Sequence, residues 1–190
     1  MCATSVRPSR WQFLAAFLRD PWVASVAPTS SAAVRRICQP IDFSRTLTIV
    51  ELGPGNGAFT RYVCSRLSAA SRLLAIERNP QFAAELQSIP DRRLTVVNDS
   101  AERLSEIVAR EHVPAADAVI SGIPFSFFAS DRQEHIMRQV ASNLKPGGRF
   151  IIYQFSSHVG SHLRTVFPRV RQFRIWRNLP PLVVYAASPR

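Results

Sequence analysis

Glu51, Gly53, Gly55, Asn56 and Gly57 crowd into seven residues, and Glu77 follows Gly57 by twenty. The three glycines let the backbone turn sharply and meet a ligand with no Cβ in the way. The run before them, TLTIVEL, has Leu47, Ile49, Val50 and Leu52 nearly continuous and rich in β-branched residues, the pattern of a strand buried on both faces. Residues 58–67 continue as a helix. Glu77 closes a second apolar run, residues 73–76, where an acid can accept both hydroxyls of a ribose.

These residues need a scaffold, and the rest of the chain supplies its pattern. Ser30 or Ser31 can cap a helix over residues 31–38, which would wall one side of the glycine turn. A helix over 79–89 carries Pro80 in its first turn, and a third strand spans 94–97. A helix over 101–110, a strand over 118–121, and a helix from Ser130 to residue 144 follow. Ser130 and Gln133 make a capping-box pattern there, and Lys145, Pro146, Gly147 and Gly148 stop the helix. Residues 149–154 read as a fifth strand, 157–167 as a helix, and 171–177 with 182–187 as a closing hairpin. Alternating strands and helices predict an α/β protein with a parallel sheet.

ELGPGNG, the acid of LLAIERN, the acid of VVNDSAE and the later LKPGGRF together resemble a class I S-adenosylmethionine-dependent methyltransferase. Within that class the chain is most similar to bacterial phospholipid N-methyltransferases, which resemble the ribosomal RNA adenine dimethyltransferases in their cofactor half. The likeness runs over nearly the whole chain. It implies a Rossmann-like, seven-stranded, mostly parallel sheet with an antiparallel last strand, helices on both faces, and an N-terminal amphipathic helix. Residues 1–40 would carry that helix and a cofactor-covering one, and residues 41–190 the methyltransferase domain, as a single unit overall.

The resemblance implies S-adenosylmethionine as cofactor, held by Glu51, Gly53, Gly55, Asn56, Gly57 and Glu77. Asp99 would accept the exocyclic amine of adenine, with backbone N–H groups of Ser100 and Ala101 toward the ring, and it can cap the following helix at the same time. Ser121, last in its strand, is expected both at the cofactor and on the acceptor side of the crevice. The loop Gly122, Ile123, Pro124, Phe125 stands where adenine methyltransferases place N-L-P-Y or D-P-P-Y, so the polar residue that would hold a base is absent. Phe125 is expected at the acceptor mouth, where an apolar lining suits acyl chains and a ring attracts an ammonium. Phe127 and Phe128 are expected in the core. Tyr153, near the carboxyl end of its strand, either orients an amine or phosphate by its hydroxyl or is a half-buried strand residue.

Charge adds a second layer. The net +11 is uneven: residues 1–50 carry +4, residues 51–134 carry −2, and residues 135–190 carry nine cations and no acid. Basic flanks attract a polyanion, a membrane surface or nucleic acid. The 23 Arg against one Lys also fit a GC-rich genome. Trp11, Phe13, Leu14, Phe17 and Leu18 cluster at helical spacing with Arg10 and Arg19 toward the other side. Such a helix suits a bilayer interface or the domain's own surface, and the resemblance favours the membrane. Residues 1–20 have no signal-type apolar core and are read as part of the mature protein.

No run approaches the ~20 apolar residues of a spanning helix. Cys2, Cys38 and Cys64 are odd in number and widely spaced, giving neither a zinc pattern nor a disulfide framework. The expectation is methylation of the amine of phosphatidylethanolamine and its partly methylated forms, by a cytoplasmic protein peripheral to the inner face of the membrane. Its rivals are a ribosomal RNA adenine methyltransferase and a non-catalytic protein that binds S-adenosylmethionine or lipid.

Overall fold

The computed structural model describes residues 30–176 and 181–189. The expected helix of Trp11, Phe13, Leu14, Phe17 and Leu18 lies outside the described residues. Helix α1 (Ser31–Ile37) starts at Ser30, whose hydroxyl accepts the Ala33 N–H at 3.2 Å. Then come β1 (Thr48–Leu52), α2 (Ala58–Cys64), β2 (Arg72–Glu77), α3 (Pro80–Gln87) and β3 (Leu94–Asn98). A single 3₁₀ turn, Ala101–Arg103, leads into α4 (Leu104–Arg110), followed by β4 (Ala116–Ser121). After a second 3₁₀ turn, Phe125–Phe127, the chain forms α5 (Ser130–Asn143), β5 (Leu144–Gln154), α6 (Val159–Val166), β6 (Arg169–Ile175) and β7 (Leu182–Ser188).

The strands make one seven-stranded sheet in the order β3-β2-β1-β4-β5-β7-β6. β1, β2, β3, β4 and β5 pair in parallel, and β7 runs antiparallel to both β5 and β6. This is the expected Rossmann-like methyltransferase fold. Its chain winds outward from β1 to β3 and returns to β4 beside β1, so the order reverses between those two strands. In an open α/β sheet the crevice at such a reversal, at the strands' carboxyl ends, receives ligands.

Side chains alternate across the sheet with the strand period of two. Val50 and Leu52 join a core with residues of α4, α5 and α6, such as Leu104, Ile136 and Leu163. Ile49 faces the opposite layer, with Val34 and Ile37 of α1 and Phe59 and Val63 of α2. Glu51 is in phase with Ile49, so the pleat that buries the strand also carries a carboxyl into the α1/α2 layer. At the amino end of the sheet, Asp117 accepts the N–H groups of Leu47 and Thr48 at 2.9 and 2.8 Å and the Lys145 ammonium at 2.8 Å, tying β1 to β5 through β4.

Two local expectations are corrected. The helix does end just before Lys145, at Asn143, but the fifth strand starts at Leu144 rather than at 149, so Lys145, Pro146, Gly147 and Gly148 lie inside β5, where the register against β4 shifts between Ala116 and Ala118. Gly147 has φ +78°, a conformation its lack of Cβ permits, and it lets the extra residues bulge without ending the strand. Ser130 makes no capping bond either: Ala129 is the N-cap, and Gln133 turns back to donate to the Phe128 carbonyl at 2.9 Å.

Candidate active site

The chain leaves β1 through a turn whose glycines, Gly53, Gly55 and Gly57, have φ of +67°, +54° and +76°. A Cβ on Gly53 would stand 3.1 Å from Ile123 Cγ1, so the turn and the loop after β4 approach closely only because that atom is missing. The Gly53 N–H donates to the Ile76 carbonyl at 2.9 Å, and the Gly122 N–H to the Leu52 carbonyl at 2.9 Å. The mouth of the crevice is thus laced to the strand ends beneath it.

Glu77 is 7% exposed, and both of its oxygens are already oriented. Oε2 accepts the Gly55 N–H at 2.9 Å and Oε1 accepts the Asn79 N–H at 2.8 Å. Each oxygen keeps a further lone-pair site, enough for a pair of ribose hydroxyls. Asn98 supports this acid from behind, donating to the carbonyls of Glu77 and Arg78 at 2.8 and 3.0 Å.

Glu51 is 1% exposed. Its Oε2 accepts the Thr60 hydroxyl at 2.7 Å, whereas Oε1 is buried with no partner among the described residues. Burial pushes the carboxyl up to about 7 against the pull of the Thr60 bond, and the charge of nearby Glu77 adds to the rise. Cys38, at the end of α1, is raised to about 12, first by burial and then by Glu51. A buried acid with an unused oxygen, beside a second acid, is a site that asks for a cation. The ammonium of the methionine part of S-adenosylmethionine is such a group, so the orphaned oxygen fits the cofactor.

The other expected cofactor residues divide. Asn56 is exposed, and its Oδ1 accepts the Ala58 N–H at 3.2 Å, shaping the turn. Asp99 follows β3 directly, as expected, with its N–H on the Glu77 carbonyl at 3.1 Å. Its carboxylate accepts the Ser100 N–H at 2.7 Å and pairs with Arg103 at 3.2 Å. Ser100 caps the 3₁₀ turn through the Glu102 N–H at 3.3 Å, and Ala101 is half-buried within that turn. Ser121 is fully buried, and its hydroxyl accepts the Ile123 N–H at 3.3 Å, so it shapes the loop from beneath.

Tyr153 reaches the crevice from β5, stacked on Phe59 of α2 with centroids 4.3 Å apart and planes at 19°. An ideal Cβ on Gly122 would fall 2.4 Å from the Tyr153 hydroxyl. The phenol therefore stands in the space a side chain at position 122 would need, and brings its own polar atom there. The ring is held in a dry setting: burial, then the charges of Glu51, Cys38 and Glu77, push the hydroxyl well above its ordinary value. It stays protonated at neutral pH, able to donate or accept a hydrogen bond but not to act as a phenolate.

The loop's aromatics differ from expectation. Phe125, expected at the acceptor mouth, is fully buried in the core that holds Ile136 and Met137, and Phe127, expected in the core, is 44% exposed. The reason is the 3₁₀ turn, with three residues per revolution: Phe125 and Phe128 fall on one side, centroids 6.3 Å apart, and Phe127 turns outward. Thr60, Asn98 and Cys38 escaped the sequence reading. Thr60 alone left a trace, as a polar residue on the inward face of α2 between Phe59 and Val63.

A β1–β4 reversal, a glycine turn and two buried acids define the class of Rossmann-like, S-adenosylmethionine-dependent methyltransferases. Residues 49–148 match the family model described as a methyltransferase domain, and the chain belongs to that family. It is 31% identical to an ornithine lipid N-methyltransferase of Singulisphaera acidiphila over 86% of each chain. A ribosomal RNA small subunit methyltransferase A of Acidobacterium capsulatum is 31% identical over 60% of this chain and 39% of its own length. Among solved structures, the 1,6-didemethyltoxoflavin-N1-methyltransferase of Burkholderia thailandensis, with bound 1,6-didemethyltoxoflavin and S-adenosylhomocysteine, superposes with a TM-score of 0.67 at 18% identity, covering 100% of this chain and 94% of that one.

S-adenosylmethionine supplies a methyl group already activated on a sulfonium. The work left to the chain is to exclude water and set an acceptor in line at near-attack distance, and Glu51, Glu77 and the glycine turn are the residues that would hold the cofactor.

Proposed function

We propose that this methyltransferase acts on the amine of a membrane-lipid headgroup, phosphatidylethanolamine and its partly methylated forms, in the direction of phosphatidylcholine. One observation carries the reading: where a nucleobase methyltransferase needs a polar side chain to grip the base, this chain has Gly122, and the Tyr153 hydroxyl fills that space. A single hydroxyl suits an alkyl amine, whose own lone pair attacks and which needs one acceptor for orientation. It serves poorly for a base edge, which is read through several hydrogen bonds at once. The similarity to an ornithine lipid N-methyltransferase supports a lipid amine and brings that headgroup in as the second candidate.

The protein works as a peripheral enzyme at the inner face of the cytoplasmic membrane, drawn there by Trp11, Phe13, Leu14, Phe17, Leu18 and the basic flanks. Among the described residues no helix is long and apolar enough to cross a membrane. The test is transfer of labelled methyl groups to liposomes of phosphatidylethanolamine, to liposomes of ornithine lipid, and to ribosomal RNA. Label in phosphatidylethanolamine is the expected result. Label in ornithine lipid alone would move the substrate to that headgroup, and label in RNA alone would end the lipid reading.

A further inference from the structure

A cavity of about 370 Å³ opens at the carboxyl end of the sheet, between the end of β5 and the β6–β7 hairpin. Phe155, Ser156, His158, Arg174, Trp176 and Val183 are among its lining residues. Among the described residues no carboxylate lines it, and residues 135–190 contain no Asp or Glu. The Ser156 hydroxyl is buried without a partner among the described residues. Gln154 donates to the Ser156 carbonyl at 3.0 Å, which fixes the backbone that presents this hydroxyl. Unpaired buried hydroxyls are rare because they cost stability, and a ligand that accepts the proton removes the cost.

Three further features agree. Helix α6 begins at the cavity wall with His158 as its N-cap and no side-chain capping bond, leaving the positive end of the helix turned toward that wall. On β6, Phe173 and Ile175 pack into the α1/α2 layer, so Arg174 projects to the other side. Its guanidinium lies 5.6 Å from the centroid of the Trp176 ring, which is 69% exposed. The planar fork is thus presented at the rim beside an indole of the kind that settles at headgroup depth.

We infer that this cavity binds the anionic group of the lipid headgroup, the phosphodiester or, in an amino-acid headgroup, the carboxylate, while the amine enters the crevice beside Tyr153. Arg174 takes two oxygens, and the Ser156 hydroxyl donates to one of them. The cavity and the crevice share the carboxyl edge of the sheet, where Gln154 pairs with Val183 one residue beyond the Tyr153–Val184 pair. Arg174 lies on β6, three strands from β4 at about 4.8 Å per step and on the face opposite Tyr153, so its long side chain and the headgroup together must span the distance over that edge. The inference deepens the lipid-amine reading and rests on it.

The test uses the full chain in two measurements. In the first, the indole N–H resonance of Trp176, assigned with Trp176→Phe, is followed as glycerophosphoethanolamine, ethanolamine or inorganic phosphate is added. Saturable movement with glycerophosphoethanolamine alone is expected, weakened about tenfold in Arg174→Gln and partly restored in Arg174→Lys. Equal movement with inorganic phosphate would make this a free-anion site and overturn the headgroup assignment. In the second, methylation kinetics in mixed micelles should show KM for phosphatidylethanolamine raised about tenfold by Arg174→Gln, with KM for S-adenosylmethionine unchanged. Ornithine lipid micelles, run in parallel, separate carboxylate from phosphodiester. An unshifted resonance with unaltered lipid KM in Arg174→Gln would refute the subsite and leave the proposed function standing. A shifted resonance with no lipid methylated would uphold the anion site and reject the proposed substrate.

Discussion

Replacing Glu51 by Gln should make the folded chain more resistant to unfolding above pH 7 while weakening its hold on the cofactor. The carboxyl is raised from 4.5 to about 7, chiefly by burial. Between those values the folded chain keeps a proton that the unfolded chain has released. Raising the pH through this window therefore draws the protein toward the unfolded state. The stabilisation by the neutral acid is complete below pH 4.5 and gone above pH 7, and at about 1.4 kcal/mol per pH unit the loss comes to about 3 kcal/mol. Gln keeps the shape and still offers an oxygen to the Thr60 hydroxyl, but it has nothing to titrate.

Urea unfolding of both proteins at pH 4.5 and pH 8 isolates this contribution, because every other titrating group is common to the pair. The stability of the variant relative to the parent should improve by about 3 kcal/mol between the two pH values. Equal slopes of stability against pH in the two proteins would refute the claim that Glu51 is buried and unpaired as described. S-adenosylhomocysteine binding to the variant should fall about tenfold or more, since a charged hydrogen bond to the cofactor's ammonium is lost.

Cofactor affinity in the parent should rise about tenfold from pH 6 to pH 8 as Glu51 ionises, and stay flat over that range in Glu51→Gln; calorimetric titration with S-adenosylhomocysteine reads both. Tyr153→Phe keeps the ring stacked on Phe59 but removes the hydroxyl, so turnover on lipid should drop about 10- to 100-fold with the unfolding midpoint little changed. Gly122→Ala places a Cβ 2.4 Å from the Tyr153 hydroxyl and 2.9 Å from the Gly53 carbonyl, and should cost about 1–3 kcal/mol; Tyr153→Phe in the same chain should recover part of it in a double-mutant cycle. Burial pushes Asp117 up, but the Lys145 bond and the N–H groups of Thr48 and Leu47 outweigh it and leave the carboxyl below 3.8. Its contribution is therefore present above pH 3.8 and lost as the pH falls through the lower folded value. The stability gap between parent and Asp117→Asn should hold steady above pH 5 and narrow below pH 4, measured by urea unfolding across that range.

The centre of the sheet was legible in the sequence because β1, β2 and β4 are apolar runs closed by glycine or an acid, and a buried parallel strand has little other way to be written. The glycine turn and Glu77 were legible for a similar reason, since backbone approach to a ligand leaves a mark in residue type. The Phe125 to Phe128 loop was not, because which ring faces inward depends on whether the turn has three residues per revolution or another number. Lys145 to Gly148 misled because a proline and two glycines mark a loop and a strand bulge alike, and only pairing with β4 separates the two. Thr60 donates to the Glu51 carboxyl and Asn98 to the backbone carbonyls of Glu77 and Arg78, bonds formed across the tertiary structure that no local pattern announces.

Gly122 and Tyr153 read as one device once their spacing is known. An amide-like base nitrogen has its lone pair drawn into the ring, and gripping it takes acceptors for both of its hydrogens. An alkyl amine keeps its lone pair, provided it has shed its proton, and one acceptor can turn that pair toward the methyl group. Tyr153 supplies a single oxygen, and burial keeps the phenol neutral, so it adds no charge that would hold the amine as an ammonium. A side chain at position 122 would displace that oxygen, so under the proposed function the glycine is as much a determinant of the acceptor as the tyrosine.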